Sequence, residues 1–193
     1  MRGVVHPAEN ARSALVMVGG AGGGIHGPAN SYEELATRLQ AEGIAALRLE
    51  YRKPNYLAAC VYDVLAGIAA LDQQGINRVA LLGWSFGGAV VISAGAVCDA
   101  SVGVATVASQ TSGTGAVGKL SPKSLLLIHG TADQVLPYSL SEDLYERADE
   151  PKELVLYLKD GHGIERHRSE MLEKLYSWSS DLLLIKAGAD GVQ

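Results

Sequence analysis

The sequence is poor in the features that mark nucleic-acid-binding and membrane-spanning proteins. Lysine and arginine number 16 against 21 acidic residues, which gives a formal net charge of −5. These charges are interspersed and form no basic stripe that a phosphate backbone would attract. No apolar run approaches the roughly 20 residues that a helix needs to cross a bilayer. We therefore expect neither nucleic acid as a partner nor a membrane span.

Cysteine is also scarce, and the two present, Cys60 and Cys98, lie in apolar, helix-like segments. No cysteine or histidine stands near them at the spacing of metal ligands, so the sequence predicts two buried free thiols and no bound metal. Residues 1–13 lack an apolar stretch long enough for a signal peptide, which makes the cytoplasm the predicted location.

Apolar side chains are abundant and follow two alternating patterns. The chain is 48% hydrophobic and only 19% charged, a composition typical of a compact folded protein. Its length fits one domain over 1–193, with the core at 13–185 and a frayed tail at 186–193. Short aliphatic runs alternate with segments of helical period. This alternation predicts an α/β fold, with a predominantly parallel central sheet and helices on both faces.

The predicted strands share a nearly continuous apolar character, as strands covered on both faces do. They are Ala14–Val18, Ile44–Leu49, Arg78–Leu82, Val102–Val107, Ser124–Ile128 and Glu153–Leu158. The predicted helices are one capped at Ser31 and ended by Gly43, then Leu57–Gln74, Ser85–Val97, Tyr138–Ala148 and Arg166–Ile185. Glu34 stands three residues after Ser31, the spacing of a capping box. The glycine-rich segment 109–120 is predicted to be a surface loop, too short for a substantial lid.

The most informative motif is Gly-Trp-Ser-Phe-Gly at 83–87, which follows a predicted strand and opens a predicted helix. In this context the pattern is typical of a nucleophilic serine raised above the sheet edge. Glycine fits on both sides of Ser85, because side chains there would collide with the neighbouring strand or helix. A helix that begins at the serine also directs free N–H groups at developing negative charge. The alternative is a serine that caps an ordinary strand-to-helix turn.

A serine nucleophile needs a base, and the base needs an acid that orients it. The pattern places them after the serine in the order acid, then histidine, each following a later strand. Asp133 follows the strand that ends at Ile128, and His162 follows the strand that ends at Leu158. Open α/β sheets place their ligand crevice at such carboxyl ends. We therefore predict Ser85, Asp133 and His162 as the catalytic residues.

Other acidic residues fit the role of the acid less well. Asp160 stands very near His162 along the chain, while Asp63 and Asp72 fall on a predicted helix remote from the crevice. Asp133 remains the preferred candidate.

Two other histidines are alternatives for the base. His167 lies in the opening of the last predicted helix and is typical of a solvated polar residue. His129 ends a strand and is interpreted as a structural histidine that braces the Asp133 loop. His162 remains the preferred candidate.

Three motifs together resemble the α/β-hydrolase superfamily, in particular its dienelactone-hydrolase-like members and small lidless esterases. They are GWSFG at 83–87, HGTADQVLP at 129–137 and DGHG at 160–163. The resemblance spans Ser13 to Leu184 and implies a serine hydrolase that uses no cofactor. It further implies cleavage of an ester, thioester or lactone in a small-molecule acyl substrate through an acyl-enzyme intermediate. Neither the bond type nor the oligomeric state follows from it.

Acyl transfer also requires backbone N–H donors for the negative oxygen of the tetrahedral intermediate. One predicted donor is Phe86. By the resemblance, the second belongs to the loop after the first predicted strand, at Ala21, with Gly20 and Gly22 as alternatives. Gly19 stands where the family commonly has histidine, and this departure leaves the second donor open.

Two further side chains lie beside the candidate residues. His26 lies on the same glycine-rich loop and is a candidate for substrate binding, with an exposed loop histidine as the equal alternative. Trp84 precedes the nucleophile, and packing is its better interpretation.

Two glycine patterns mimic nucleotide-binding motifs. Glycines within 22–27 have the spacing of a dinucleotide fingerprint, with Glu50 as the mimic of its ribose-binding acid, but Pro28 delays the helix that pyrophosphate needs. The run 113–119 mimics a phosphate-binding loop, but Leu120 replaces the Ser or Thr that holds magnesium. The remaining alternative is a non-catalytic binding protein on the same fold.

Overall fold

The computed structural model of the protein describes residues 1–184 and has a central sheet with helices on both faces. Over this range the strands are β1 (Arg2–His6), β2 (Ser13–Val18), β3 (Ala45–Glu50), β4 (Arg78–Trp84), β5 (Ser101–Val107), β6 (Ser124–Gly130) and β7 (Lys152–Tyr157). The helices are α1 (Tyr32–Ala41), α2 (Leu57–Asp72), α3 (Phe86–Val97), α4 (Ser139–Arg147) and α5 (Arg168–Leu183). None of these helices of residues 1–184 is long and apolar enough to cross a membrane. The predicted tail 186–193 and Ile185 lie outside the described residues.

The strands lie in the order β1–β3–β2–β4–β5–β6–β7. Strands β2 to β7 pair in parallel, and β1 pairs antiparallel with β3 at one edge. The six predicted strands are confirmed, whereas β1 is not predicted because it is largely exposed and has no continuous apolar run. Parallel pairing brings the carboxyl ends of β2 to β7 to one edge of the sheet, where the turns with the candidate residues emerge.

Successive side chains of each central strand point into two separate cores. In β2, Val16 and Val18 belong to the core that also contains apolar residues of α2, α3 and α4, whereas Leu15 and Met17 belong to the core that contains those of α1 and α5. All four side chains are fully buried. Because this apolar burial on both faces is the main stabilising term, the turns at the sheet edge rest on a rigid support.

The predicted capping box at the start of α1 is wrong, although the helix itself is confirmed. Ser31 has helical φ and ψ of −83° and −20°, and its side chain makes no capping hydrogen bond. Glu34 Oε2 instead accepts a hydrogen bond from Arg168 Nη2 at 2.7 Å, so a tertiary ion pair has replaced the local interaction. The end of the helix at Gly43 is confirmed, since its φ of +81° suits glycine.

Segment 109–120 is a loop, as predicted, but it also contains a short 3-10 turn at Val117–Lys119. Thr114 and Val117 are buried, and Ser93 Oγ of α3 donates to the Gly113 carbonyl oxygen at 3.0 Å. The loop is therefore packed against α3.

Both cysteines are free, as predicted. Cys60 is fully buried, and burial raises the pKa of its thiol. Cys98 is partly exposed, so the prediction of a buried thiol is wrong at this position.

Candidate active site

Ser85 lies at the sharp turn between β4 and α3, in a backbone conformation that L-amino acids rarely adopt. Its φ and ψ are 58° and −122°. Such a conformation costs about 1–3 kcal/mol and persists only where the surrounding structure enforces it, typically at functional positions. The Ser85 N–H donates to the Val107 carbonyl oxygen at 2.8 Å, which ties the turn to β5.

Glycine is required on both sides of Ser85, which confirms the steric prediction. A Cβ added at Gly83 would overlap the carbonyl oxygen of Gly87, and a Cβ at Gly87 would overlap the carbonyl oxygen of Gly19. Both obstacles are backbone atoms, which cannot rotate away as a side chain can. The two glycines therefore permit the close approach of β4, α3 and the loop after β2.

The glycine-rich loop after β2 runs directly beside the nucleophile. A Cβ added at Gly20 would lie 3.4 Å from Ser85 Cβ and 3.8 Å from Ser85 Oγ. The Gly23 N–H donates to the Gly20 carbonyl oxygen at 3.0 Å and closes a tight turn, in which Ala21 and Gly22 are exposed. Within residues 1–184, the Ala21 N–H makes no backbone hydrogen bond. This N–H therefore has no backbone acceptor, and it directly follows Gly20, which lies beside Ser85.

Phe86, the first residue of α3, supplies a second free backbone donor. The N–H groups of the first helical turn have no acceptor within the helix, and this one directly follows Ser85. Tyr51 connects this turn to the glycine-rich loop, since its hydroxyl donates to the Gly19 carbonyl oxygen at 3.2 Å and its ring meets Phe86 edge-on at 6.2 Å. The sequence gives no signal for this role of Tyr51.

Asp133 and His162, on the loops after β6 and β7, meet in a direct hydrogen bond. His162 Nδ1 lies 2.7 Å from Asp133 Oδ2. The carboxylate of Asp133 is fully buried, whereas the His162 side chain is 17% exposed and reaches the surface. Because a carboxylate only accepts, the hydrogen bond requires a hydrogen on Nδ1 of His162.

The carboxylate of Asp133 stays ionised in spite of its burial. Burial raises its pKa, but hydrogen bonds from the Leu136 N–H, the His162 ring and the Val135 N–H outweigh burial, so that the pKa lies below its ordinary value. The two backbone donors reach Asp133 Oδ1 at 3.0 Å and 2.8 Å. The acid therefore remains negative and its orientation is fixed from two sides.

His129 braces the Asp133 loop, which confirms its interpretation as a structural histidine. The ring is fully buried, and its Nε2 lies 3.1 Å from Asp133 Oδ2 and 3.0 Å from the Leu136 carbonyl oxygen.

Asp160 and His167 form a second acid–histidine pair close to the first. Their contact measures 2.8 Å, with Asp160 almost fully buried. The Asp160 carboxylate also accepts hydrogen bonds from the backbone N–H groups of Gly161, Arg166 and His167, at 3.2, 3.1 and 2.9 Å. Asp160 thus joins the two ends of the loop that carries His162. It takes no part in the hydrogen bond between Asp133 and His162.

The two remaining acidic alternatives both lie on α2. Asp63 is buried and pairs with Arg52, while Asp72 is exposed at the end of the helix. Neither contacts His162.

Trp84 joins the nucleophile turn to the His162 loop, a role beyond the predicted packing. Its Nε1–H donates to the His162 carbonyl oxygen at 3.0 Å, and the two rings lie 5.5 Å apart between centroids. The position of Trp84, next to Ser85, is the only sequence signal for this role.

Across the described chain, no hydrogen bond joins Ser85 Oγ to His162 directly. Catalytic hydrogen bonds are often long without substrate and shorten in the complex.

His26 is exposed on the glycine-rich loop, and its carbonyl oxygen accepts a hydrogen bond from the Tyr32 N–H at 3.1 Å. This backbone contact fixes the loop and does not by itself assign the imidazole to substrate binding.

The glycine-rich loop is also a poor dinucleotide site. A 3-10 turn at Pro28–Asn30 follows it, and α1 begins only at Tyr32.

Comparison with known proteins identifies the fold. No family model matches the chain. The uncharacterized protein YfhR of Escherichia coli K12 is 28% identical, in an alignment that covers 82% of this chain and 66% of that protein. The chain thus spans just under two thirds of that relative.

Three solved structures of low sequence identity match almost the whole chain. A dienelactone hydrolase from Anabaena variabilis has a TM-score of 0.82 at 19% identity, over 94% of this chain and 92% of its own. Est1E from Butyrivibrio proteoclasticus has a TM-score of 0.79 at 15% identity, over 93% of each chain. An esterase domain from Rhodothermus marinus has a TM-score of 0.75 at 16% identity, over 95% of this chain and 100% of its own. The chain therefore has the α/β-hydrolase fold, as the resemblance predicts.

Proposed function

We propose that the protein is a serine hydrolase that cleaves an ester, thioester or lactone through an acyl-enzyme intermediate. The observation that carries the proposal is the strained backbone of Ser85, which lies between two sterically required glycines. It is supported by the Asp133–His162 pair on loops at the same edge of the sheet. The hydrolase and esterase names of the structural neighbours agree with this reaction class.

In the proposed reaction, Ser85 Oγ attacks the acyl carbonyl carbon while His162 Nε2 takes its proton. Asp133 holds the resulting imidazolium through the Nδ1–H hydrogen bond. The N–H groups of Phe86 and Ala21 bind the oxygen that becomes negative. Each such donor contributes about 10²–10³ in rate.

The intermediate then collapses, and the leaving group takes the proton from His162. A water molecule next attacks the acyl-Ser85 ester while His162 again accepts a proton. The acid product departs, and Ser85 recovers its hydrogen. Every proton and oxygen in this sequence comes from substrate, water or these side chains, so the reaction balances without a further reactant.

The crevice favours a small acyl group over a long lipid. Segment 109–120 is packed on α3, so that residues 1–184 leave the site without a large cover. Tyr56, Val135 and Leu158, on loops that follow strands, are 57%, 67% and 71% exposed as residues, and we expect them to offer apolar contacts to a substrate. A series of ester and thioester substrates of increasing acyl length measures this preference.

Replacement of the nucleophile tests the proposal. Ser85→Ala should reduce hydrolysis of short p-nitrophenyl esters by about 10⁴-fold or more, because no oxygen remains to form the acyl-enzyme. Ser169→Ala is the matched control, since Ser169 is an exposed residue of α5. Both variants should keep the circular dichroism spectrum of the wild type. Undiminished turnover by folded Ser85→Ala would refute the mechanism.

A further inference from the structure

His129 makes more contacts than a bracing role requires, and they form a continuous buried chain of hydrogen bonds. Its Nδ1 lies 2.7 Å from Ser141 Oγ on α4, and both residues are fully buried. Its Nε2 contacts Asp133 Oδ2, the same oxygen that His162 Nδ1 contacts at 2.7 Å. The chain therefore runs from Ser141 through His129 and Asp133 to His162.

The partners of the ring determine which nitrogen carries the proton. Nε2 of His129 faces two acceptors, Asp133 Oδ2 at 3.1 Å and the Leu136 carbonyl oxygen at 3.0 Å. Neither can donate, so Nε2 must carry hydrogen. Burial lowers the pKa of His129 and thereby favours a neutral ring. In a neutral ring Nδ1 is then an acceptor, and the hydroxyl of Ser141 donates to it.

We propose that His129, held in this tautomer by the two acceptors at Nε2, is a positioning residue that sets the basicity of the proposed Ser85–His162–Asp133 triad. The inference rests on the proposed function. Asp133 Oδ2 receives two N–H donors, one from His129 and one from His162. The donor from His129 takes up part of the negative charge on that oxygen. Asp133 consequently attracts the protonated ring of His162 less strongly than a carboxylate with a single donor would.

This sharing of charge predicts a direction for the pH dependence. Asp133 and His162 are the titratable groups that face His129. Since only the neutral His162 ring can take the proton from Ser85, kcat/KM rises with pH as that ring loses its proton. Loss of the donor at position 129 stabilises the protonated ring of His162. The rise in kcat/KM then moves to higher pH.

Two substitutions separate the donor to Asp133 from the contact with Ser141. In His129→Gln the amide nitrogen takes the place of Nε2 and still donates to Asp133. In His129→Asn the shorter amide reaches only the place of Nδ1, near Ser141. We expect His129→Asn to raise the pH of half-maximal kcat/KM by about 0.5–1 pH unit and His129→Gln to retain the wild-type profile. Equal profiles for the two variants would overturn the inference.

Nitrogen NMR of the wild type gives a second test that needs neither variant nor turnover. The inference predicts that His129 carries hydrogen on Nε2 and not on Nδ1 near neutral pH. A proton on Nδ1 would overturn it. Failure of the proposed function looks different, because it would appear as absent ester turnover with an unchanged His129 spectrum. Failure of the inference alone would leave Ser85-dependent turnover intact.

Discussion

The residues around Ser85 show how strictly the nucleophile turn constrains its sequence. Gly83 and Gly87 face backbone oxygens, whereas Gly22 and Gly115 face open space with nothing within 4 Å of an added Cβ. Glycine is therefore a steric necessity at the first two positions and not at the last two.

We predict that Gly83→Ala destabilises the fold, while Gly115→Ala leaves it unchanged. The added methyl group at residue 83 meets the Gly87 carbonyl oxygen, which cannot move without disturbing α3. Overpacking of this kind costs about 1–3 kcal/mol in the free energy of unfolding. Urea denaturation of the two variants checks the difference, and equal stabilities would contradict the steric account.

Local steric demands could be read from the sequence, and contacts between distant residues could not. The GWSFG motif at 83–87 indicated both the turn and its glycines, because all of its constraints lie within a few residues. The capping box at Ser31 failed, because Glu34 pairs with Arg168, which is distant in sequence. The contacts of Tyr51 and Trp84 at the site likewise appear only once the chain is folded.

Among the loops, the one after β7 determines where His162, the proposed base, lies. Its residues 160–167 close on the single carboxylate of Asp160, which binds three backbone N–H groups and the His167 ring. These hydrogen bonds lie within the His162 loop, and a bond from the Ala132 N–H to the Asp160 carbonyl oxygen at 2.8 Å joins it to the Asp133 loop. Asp160 thus positions His162 without touching it.

Removal of this charge should loosen the loop and slow the reaction. Asp160→Asn weakens several hydrogen bonds to a buried carboxylate, each worth about 1.5–3 kcal/mol, so we expect a loss of about 2 kcal/mol in unfolding free energy. Displacement of His162 should reduce kcat/KM by about ten- to a hundredfold. Asp72→Asn, at an exposed position on α2, is the control for both measurements. Wild-type kinetics in Asp160→Asn would contradict the positioning role.

The regular elements were predictable wherever burial imposed a pattern. Strands β2 and β4 to β6 are nearly continuous apolar runs because helices cover both faces. Strand β1 is an edge strand with mostly exposed residues, so nothing in its sequence distinguishes it from a loop. The glycine at 43 marked a helix end correctly, since it has a positive φ.

At the scale of the whole molecule, the residues that stabilise the fold are largely different from the residues of the candidate site. Structures with 14–19% identity share its fold, so the apolar pattern specifies the architecture with little demand on particular side chains. Function depends on the site built at the sheet edge and not on the fold itself. The proposed hydrolysis therefore requires the loops after β4, β6 and β7 to act together.

Covalent labelling with a fluorophosphonate, followed by peptide mass spectrometry, tests whether Ser85 is a nucleophile activated by His162. The account predicts one adduct, on the peptide that contains Ser85, and no adduct in Ser85→Ala. Labelling should also be strongly slowed in His162→Gln, because the serine then lacks its base. An adduct at another residue, or no adduct together with tight binding of NAD, would contradict the assignment of Ser85 as the nucleophile.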